Sequence, residues 1–168
     1  AAGPIGLPDR VQVARDGRLL LIVNTGKPTT TLGIYSPDLA KVRTLDGVSG
    51  DLARLVDGDG VVTVAPKSRI LAQVGDARPT QVLQLEGDVI GLSEAGPQQF
   101  VALTSLGELV RCRLDDDDLA RTHATIDPGA FLIVDSQHRP VIASGARLLR
   151  WDRDVHEIAT LLRPIDSL

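Results

Sequence analysis

The chain has 168 residues, of which 43% are hydrophobic and 24% are charged, and its net charge is −4. These values are ordinary for one globular domain that is large enough to bury a substantial core. Only 2% of the residues are aromatic, so the core has to be built from aliphatic side chains. A negative chain with few aromatic rings lacks the basic face and the stacking platforms of nucleic-acid-binding proteins, and we therefore expect no nucleic-acid partner.

The cysteine content and the lengths of the apolar runs bear on the cellular compartment of the chain and on whether it crosses a membrane. Cys112 is the single cysteine, which excludes an internal disulfide and fits a reducing compartment, although many exported domains also lack disulfides. No apolar run reaches the roughly 18 residues that a membrane-spanning helix needs. The sequence starts Ala-Ala-Gly-Pro and contains no methionine. We therefore expect a processed chain or part of a longer one, and both a cytoplasmic and an exported location stay open.

Short β-type runs separated by turn residues follow the entry segment at residues 1–10, which is rich in proline and glycine. Alternating or continuous apolar character in these runs predicts strands. The runs form four units of about four strands each, at residues 11–46, 51–86, 88–127 and 129–162. In each unit the first two strands are the most apolar, the third is mixed, and the fourth alternates as a solvated strand does. Residues 155–162 are the one helix candidate, and they fit the repeat better as a strand.

The third strands of the four units repeat one another at a nearly constant spacing. Each is a β-type run that ends in an aspartate at a turn. The runs begin at residues 32, 70, 109 and 147, so the steps are 38, 39 and 38 residues. The last run ends in Trp151-Asp152, and Tyr35-Ser-Pro-Asp38 and Leu114-Asp115 are degenerate versions of that ending. A fixed period of this size indicates a repeat fold.

Four-stranded units of about 40 residues, joined by tight turns, resemble the blades of a β-propeller. The sequence resembles the broad group of WD-repeat and quinoprotein-like propellers, although the Gly-His pair that opens a WD blade is missing. The resemblance implies an all-β propeller of about four four-stranded blades in a single domain, residues 1–168. It also allows half of a larger propeller, which a second copy or a missing segment would complete. A β-sandwich or a flattened β-solenoid is the alternative fold.

No sequence motif assembles a cofactor, metal or catalytic site. Residues 24–30 contain Gly26-Lys27 but lack the earlier glycine of a phosphate-binding loop, and no helix is predicted after them. Residues 57–60, Asp-Gly-Asp-Gly, precede a strand and lack the further ligands of a calcium loop. We therefore expect no cofactor and no metal.

Residue types that often act in catalysis or metal binding are expected to have structural roles in this chain. Cys112 is expected to be a small buried residue, and Trp151 and Tyr35 are expected to pack between blades. No His-x-His or Cys-x-x-Cys spacing marks a zinc site. The histidines occupy three separate elements, at His123, His138 and His156.

The sequence therefore predicts a non-catalytic propeller scaffold that contacts a protein partner, or a second copy, through the loops of one rim. The densest charge is the run of four aspartates at residues 115–118. Adjacent carboxylates repel one another, so the run needs solvent, a cation or a basic partner. The candidate contact residues are Asp115, Asp116, Asp117, Asp118, Asn24, Lys27 and Arg78.

The alternative function is a small-ligand or carbohydrate binder, or a propeller enzyme, with its site at the central axis. Such a site would be built from the inner strands, where polar residues are rare. They are Arg15, Arg54 and Gln99.

Overall fold

The computed structural model of the chain describes residues 9–14, 16–23, 30–48, 52–55, 61–64, 70–74, 79–96, 99–113 and 119–162. These residues form β-strands joined by turns. The strands are β1 (Arg10–Val13), β2 (Leu19–Val23), β3 (Thr30–Tyr35), β4 (Lys41–Val48), β5 (Leu52–Leu55), β6 (Val61–Val64), β7 (Ile70–Val74), β8 (Pro79–Gln84), β9 (Val89–Gly96), β10 (Gln99–Thr104), β11 (Glu108–Arg113), β12 (Leu119–His123), β13 (Phe131–Val134), β14 (Pro140–Ser144), β15 (Arg147–Trp151) and β16 (Val155–Thr160). The described part of the chain contains no helix that is long and apolar enough to cross a membrane.

The strands form four sheets of four consecutive strands each, β1–β4, β5–β8, β9–β12 and β13–β16. We call them the first to the fourth sheet. The strand pairs whose register the structure describes run antiparallel, in all three pairs of the first, third and fourth sheets and in the β5–β6 pair of the second. The predicted all-β arrangement of four-stranded units is confirmed. The segments that carry the repeat period are the third strands, β3, β7, β11 and β15, and the helix candidate near the end of the chain is the strand β16.

The chain divides into two compact units, residues 1–66 with 72–81, and residues 67–71 with 82–168. In the first unit, alternate residues of β2 and β3 turn one face of the first sheet into a core. This core consists of Leu20, Ile22, Leu32 and Ile34, together with Val61 from β6. All five side chains are aliphatic, as the shortage of aromatic residues requires.

In the second unit, the third and fourth sheets contribute to one apolar core. Its buried members come from both sheets and include Leu103 and Leu109 of the third, and Leu132, Ile142 and Trp151 of the fourth. Every residue of β14 is buried, as are five of the six residues of β10. Continuous apolar runs are typical of strands that are covered on both faces, so the sequence pattern and the burial agree.

Some strand boundaries differ from the predicted ones. Gly96 and Pro97 are typical turn residues, but β9 continues through Gly96 because Glu94 pairs with Phe100 and Gly96 pairs with Gln99. The third predicted unit runs to residue 127, but its last strand, β12, ends at His123. The next residue, Ala124, donates its backbone N–H to Gly107 O at 2.9 Å. That hydrogen bond holds the connection to the fourth sheet against the β10–β11 turn.

Candidate functional site: the charged end of the fourth sheet

Two turns lie at the same end of the fourth sheet, the β13–β14 turn at residues 135–139 and the β15–β16 turn at residues 152–154. In an antiparallel meander the first and third turns share one end, and the second turn lies at the other. Arg139 Nε lies 4.0 Å from Asp152 Oδ1, so the two turns touch. The charged residues at this end form what we call the charged rim: Asp135, Arg139, Arg150, Asp152, Arg153, Asp154 and His156.

Asp135 organises the first of the two turns. Its Oδ1 accepts the backbone N–H groups of Gln137 at 2.8 Å and Arg139 at 2.9 Å. Its Oδ2 accepts Arg139 Nε at 2.8 Å. The hydrogen bond from the Arg139 side chain, together with the bonds from the two backbone N–H groups, lowers the pKa of Asp135 from 3.8 to about 2. The carboxylate therefore stays charged at any ordinary pH and fixes the guanidinium beside it.

Asp152 organises the second turn. Arg150 Nε donates to Asp152 Oδ2 at 2.9 Å, and His156 Nε2 lies 3.6 Å from the same oxygen. Arg150 and His156 are cross-strand partners on β15 and β16, so their side chains share one face of the sheet. A carboxylate that contacts both Arg150 and His156 and approaches Arg139 links the side chains of the rim into one connected polar array.

The two residues of the Trp151-Asp152 pair have separate roles. The Trp151 side chain is 3% exposed and belongs to the core shared by the third and fourth sheets, as expected for a packing residue. The Arg111 guanidinium of β11 lies over its ring, 4.9 Å from the centroid, which is cation–π geometry. This contact brings the end of β11 next to the end of β15. Cys112, the neighbour of Arg111, is buried as expected.

The predicted contact residues Asp115, Asp116, Asp117, Asp118, Asn24, Lys27 and Arg78 lie outside the described residues. The order of the strands nevertheless divides them into two groups. Residues 115–118 and Arg78 follow the third strand of their sheets, whereas Asn24 and Lys27 follow a second strand. The acidic run follows β11, whose end adjoins the charged rim through the Arg111–Trp151 contact.

The residues considered for the alternative site at the axis are described only in part. Arg15 and the Arg54 side chain lie outside the described residues, and Gln99 is half-buried at the start of β10. Within the described ranges, no group of three or more histidine, cysteine, aspartate or glutamate side chains could hold a metal ion.

A second polar constellation, which the sequence does not predict, lies at the opposite end of the third sheet. The Glu108 side chain is 1% exposed and accepts Arg121 Nη1 at 2.7 Å. It also accepts the backbone N–H of Glu86, at 2.8 Å, from the connection that leads into the sheet. The Thr104 hydroxyl accepts the backbone N–H of Glu108 at 3.1 Å. These bonds fasten the incoming connection to the β10–β11 turn.

The fourth sheet has a matching arrangement with the charge reversed. Arg147 occupies the first position of β15, as Glu108 does of β11, and donates Nη2 to Thr125 O and to Asp127 Oδ2, both at 3.2 Å. The Ser144 hydroxyl accepts the backbone N–H of Asp127 at 2.7 Å. The signal for both arrangements in the sequence is a charged residue directly after the second turn of the repeat, but the sequence does not reveal its partners.

Replacing Asp135 with asparagine should remove a pH-dependent part of the stability. Asparagine keeps an oxygen for the two backbone N–H groups but loses the charge that faces Arg139. Because the folded-state pKa of about 2 lies below the ordinary 3.8, the advantage of the wild-type chain is present above pH 3.8. It should disappear as the pH falls from there towards 2. Urea denaturation of both chains between pH 7 and pH 2 measures the difference in the free energy of unfolding.

Gln137→Ala is the control for this substitution, because only the backbone of Gln137 contacts Asp135. Its free energy of unfolding should follow the wild-type pH dependence. A wild-type advantage over the Asp135→Asn variant that stays constant down to pH 2 would contradict the assignment.

Comparison with known protein families gives no matching family model, and no curated protein matches the sequence. Comparison with solved structures gives matches to propeller domains. The chain is similar to BBS1N, crystallised in complex with ARL6DN, at 12% identity and a TM-score of 0.64, covering 95% of this chain and 55% of that one. It is similar to the β-propeller domain of Cps50 (Swd1) from Myceliophteria thermophila, at 12% identity and a TM-score of 0.64, covering 98% and 59%. It is also similar to the C-terminal WD40 domain of Sif2, at 13% identity and a TM-score of 0.62, covering 94% and 47%.

These likenesses show the fold: the chain has a β-propeller repeat fold, as the repeat period predicts. The chain spans about half the length of the propeller structures it matches. It is therefore consistent with a partial propeller, and the alternative prediction of a β-sandwich is not supported.

Proposed function

We propose that the chain is a non-catalytic β-propeller scaffold that binds a basic segment of a protein partner at the charged rim and the adjacent acidic run, residues 115–118. The observation that carries the proposal is the Arg111–Trp151 contact of 4.9 Å. It brings the end of β11, from which the acidic run follows, next to the turn that holds Asp152.

The charge balance supports a basic partner. The described rim contains three aspartates and three arginines, and the arginines are Arg139, Arg150 and Arg153. These charges balance, and Arg111 and Arg113 at the end of β11 offset two of the four aspartates at positions 115–118, so this end of the unit keeps a negative charge. Charge complementarity of this kind steers association and selects the partner more than it adds affinity.

The scaffold itself also suits a binding role. Sheets with apolar cores hold the turns at their ends in fixed positions, and turns on a rigid frame are where binding residues concentrate. BBS1N, a structurally similar propeller, was crystallised in complex with ARL6DN. In a repeat fold the binding residues are particular to each protein, so this likeness supports a class of function and identifies no partner.

Affinity capture from the source cells tests the proposal. The wild-type chain and the variant in which Asp115, Asp116, Asp117 and Asp118 are all replaced by asparagine serve as baits, and Asp57→Asn/Asp59→Asn is the charge-matched control. We expect a protein that the wild type and the control capture and the acidic-run variant loses. Binding of that purified protein should weaken as salt increases. Equal capture by all three baits would overturn the proposal.

A thermal-shift screen with sugars, nucleotides and metals tests the alternative function of a ligand site at the axis. A clear upward shift with any of these compounds would favour that alternative, since a ligand that binds only the folded state stabilises it.

A further inference from the structure

Arg111, near the end of β11, carries a charge that the protein does not neutralise by direct contact. Its guanidinium lies over the ring of Trp151, 4.9 Å from the centroid. Its Nε is buried and has no hydrogen-bond partner, and within the described part of the chain no carboxylate forms an ion pair with it. Buried polar groups in native proteins are nearly always paired, so an orphaned donor of this kind points to a ligand.

Other arginines of the third and fourth sheets have the partner that Arg111 lacks. Four of them lie 3.2 Å or less from a carboxylate oxygen. The pairs are Arg121 with Glu108, Arg139 with Asp135, Arg147 with Asp127, and Arg150 with Asp152. Arg153 is exposed on a turn, where solvent reaches its charge, whereas Arg111 is half-buried.

The neighbours of Arg111 on its own sheet offer no acceptor. Its cross-strand partners are Val101 of β10 and Ala120 of β12, and cross-strand partners lie on the same face of the sheet. Val101 is fully buried, and such an apolar surrounding strengthens the interaction of a guanidinium with an anion. Ala120 is exposed and carries only a methyl group. A ligand can therefore approach Arg111 from the β12 side.

A guanidinium held over an aromatic ring is preorganised for a planar anion. Its donors form a rigid fork that matches the two oxygens of a carboxylate. Negative charge close by in the sequence disfavours a more highly charged ligand, since Asp152 follows Trp151 directly and four aspartates follow β11 at positions 115–118. Carboxylates repel a phosphate, with its charge of about −2, roughly twice as strongly as they repel another carboxylate.

We propose that the Arg111 guanidinium on the Trp151 ring is a binding site for a carboxylate, from a small free acid or from an acidic residue of a peptide. Because the site needs none of the residues 115–118, it stands apart from the partner site proposed above. The variant with asparagines at these positions should bind a carboxylate at least as tightly as the wild type, so the two proposals can fail separately.

The fluorescence of Trp151 reports on the site directly, because Trp151 is the single tryptophan of the chain. Sodium acetate is titrated into the full chain at constant ionic strength, balanced with sodium chloride. We expect the Trp151 emission to change and to saturate, with half-saturation at about 10 mM acetate or below. The NMR signal of the Arg111 Nε–H group should shift over the same range. Equal responses to acetate and chloride, or a stronger response to inorganic phosphate, would overturn the proposal.

Three variants identify the group that binds acetate. Arg111→Met removes the guanidinium but keeps a long side chain that can pack on the ring, so the acetate response should disappear. Arg111→Lys keeps the charge but loses the planar fork, and half-saturation should need about 10-fold more acetate. Arg153→Met removes an exposed cation at the same end of the fourth sheet and should titrate like the wild type. Circular dichroism checks that each variant is folded. A wild-type response in Arg111→Met, or its loss in Arg153→Met, would contradict the assignment to Arg111.

Two capped peptides distinguish the sources of the carboxylate. Both consist of lysines around one central residue, which is glutamate in one and glutamine in the other. Tighter binding of the glutamate peptide than of both acetate and the glutamine peptide supports a peptide carboxylate as the ligand. Acetate that binds as tightly as the glutamate peptide supports a small free acid. Equal binding of the two peptides, without a response to acetate, would show that Arg111 recognises no carboxylate.

Discussion

Replacing Gly107 with alanine should lower the free energy of unfolding by about 4 kcal/mol, which is exceptional for a single methyl group. Gly107 has a φ of +83°, and a Cβ built on it would lie 2.0 Å from the carbonyl oxygen of Ala124. That oxygen belongs to the backbone and cannot rotate away. The same two residues are joined by the hydrogen bond from Ala124 N–H to Gly107 O. The methyl group therefore has to separate two chain segments that this bond holds together.

Two contributions of known size make up the expected loss in the free energy of unfolding. A residue other than glycine in the left-handed region costs about 1–2 kcal/mol. Breaking the buried contact between the β10–β11 turn and the connection leaves polar backbone groups unpaired, at about 1–3 kcal/mol. Urea denaturation followed by circular dichroism measures the sum.

Gly129→Ala provides the matched control. Gly129 has a φ of +82°, nearly the same as that of Gly107, but no atom lies within 4 Å of a Cβ added there. Only the conformational cost of about 1 kcal/mol should appear. The difference between the two variants isolates the clash with Ala124. Equal losses in the two variants would show that the connection can move away from the turn at little cost.

The sequence predicts the strands because the local order of apolar and polar residues indicates which residues of a strand are buried. The continuous apolar run of β14 matches its burial, whereas the equally continuous run of β2, Leu19–Val23, predicts cover on both faces and is fully buried only at alternate residues. The constant spacing of the third strands is also readable from the sequence although the four units resemble one another only weakly, since each unit needs a strand and a turn at the same place.

The polar contacts could not be predicted because their partners depend on three-dimensional packing. Glu108 reaches Arg121, which is 13 residues away, and the backbone of Glu86, which is 22 residues away. Nothing local distinguishes Glu108, which is buried, from Glu86, which is exposed. Arg147 occupies in β15 the position that Glu108 occupies in β11. The two positions are hard to recognise as equivalent from the sequence, since both are charged but with opposite sign.

The candidate contact residues show the limit of sequence patterns in another way. A run of aspartates and a loop with Asn24 and Lys27 both stand out by composition, but composition does not say at which end of a sheet a loop emerges. Asn24 follows a second strand, whereas the aspartates follow β11, whose end contacts the fourth sheet through Arg111 and Trp151. For this reason the proposed partner site combines the acidic run with the charged rim and leaves Asn24 and Lys27 out.

Replacing Arg121 with alanine should lower the free energy of unfolding by about 3 kcal/mol, in the range for breaking one side of a buried ion pair. The side chains of Arg121 and Glu108 are 39% and 1% exposed, so the substitution removes the accessible partner and leaves the buried carboxylate with the Glu86 N–H alone. Arg121 Nη2 also donates to Gln84 O at 3.4 Å, and this bond is lost as well. Chemical denaturation at neutral pH measures the loss.

A double-mutant cycle separates the charge from the packing. Glu108→Leu should also destabilise, because it removes the acceptor of the Glu86 N–H. The double variant Glu108→Leu/Arg121→Ala should lose less than the sum of the two single losses, since neither charge is then left unpaired. Arg153→Ala, at an exposed turn position, should change stability by less than about 0.5 kcal/mol. Additive losses would contradict the assignment of Glu108 and Arg121 as a coupled ion pair.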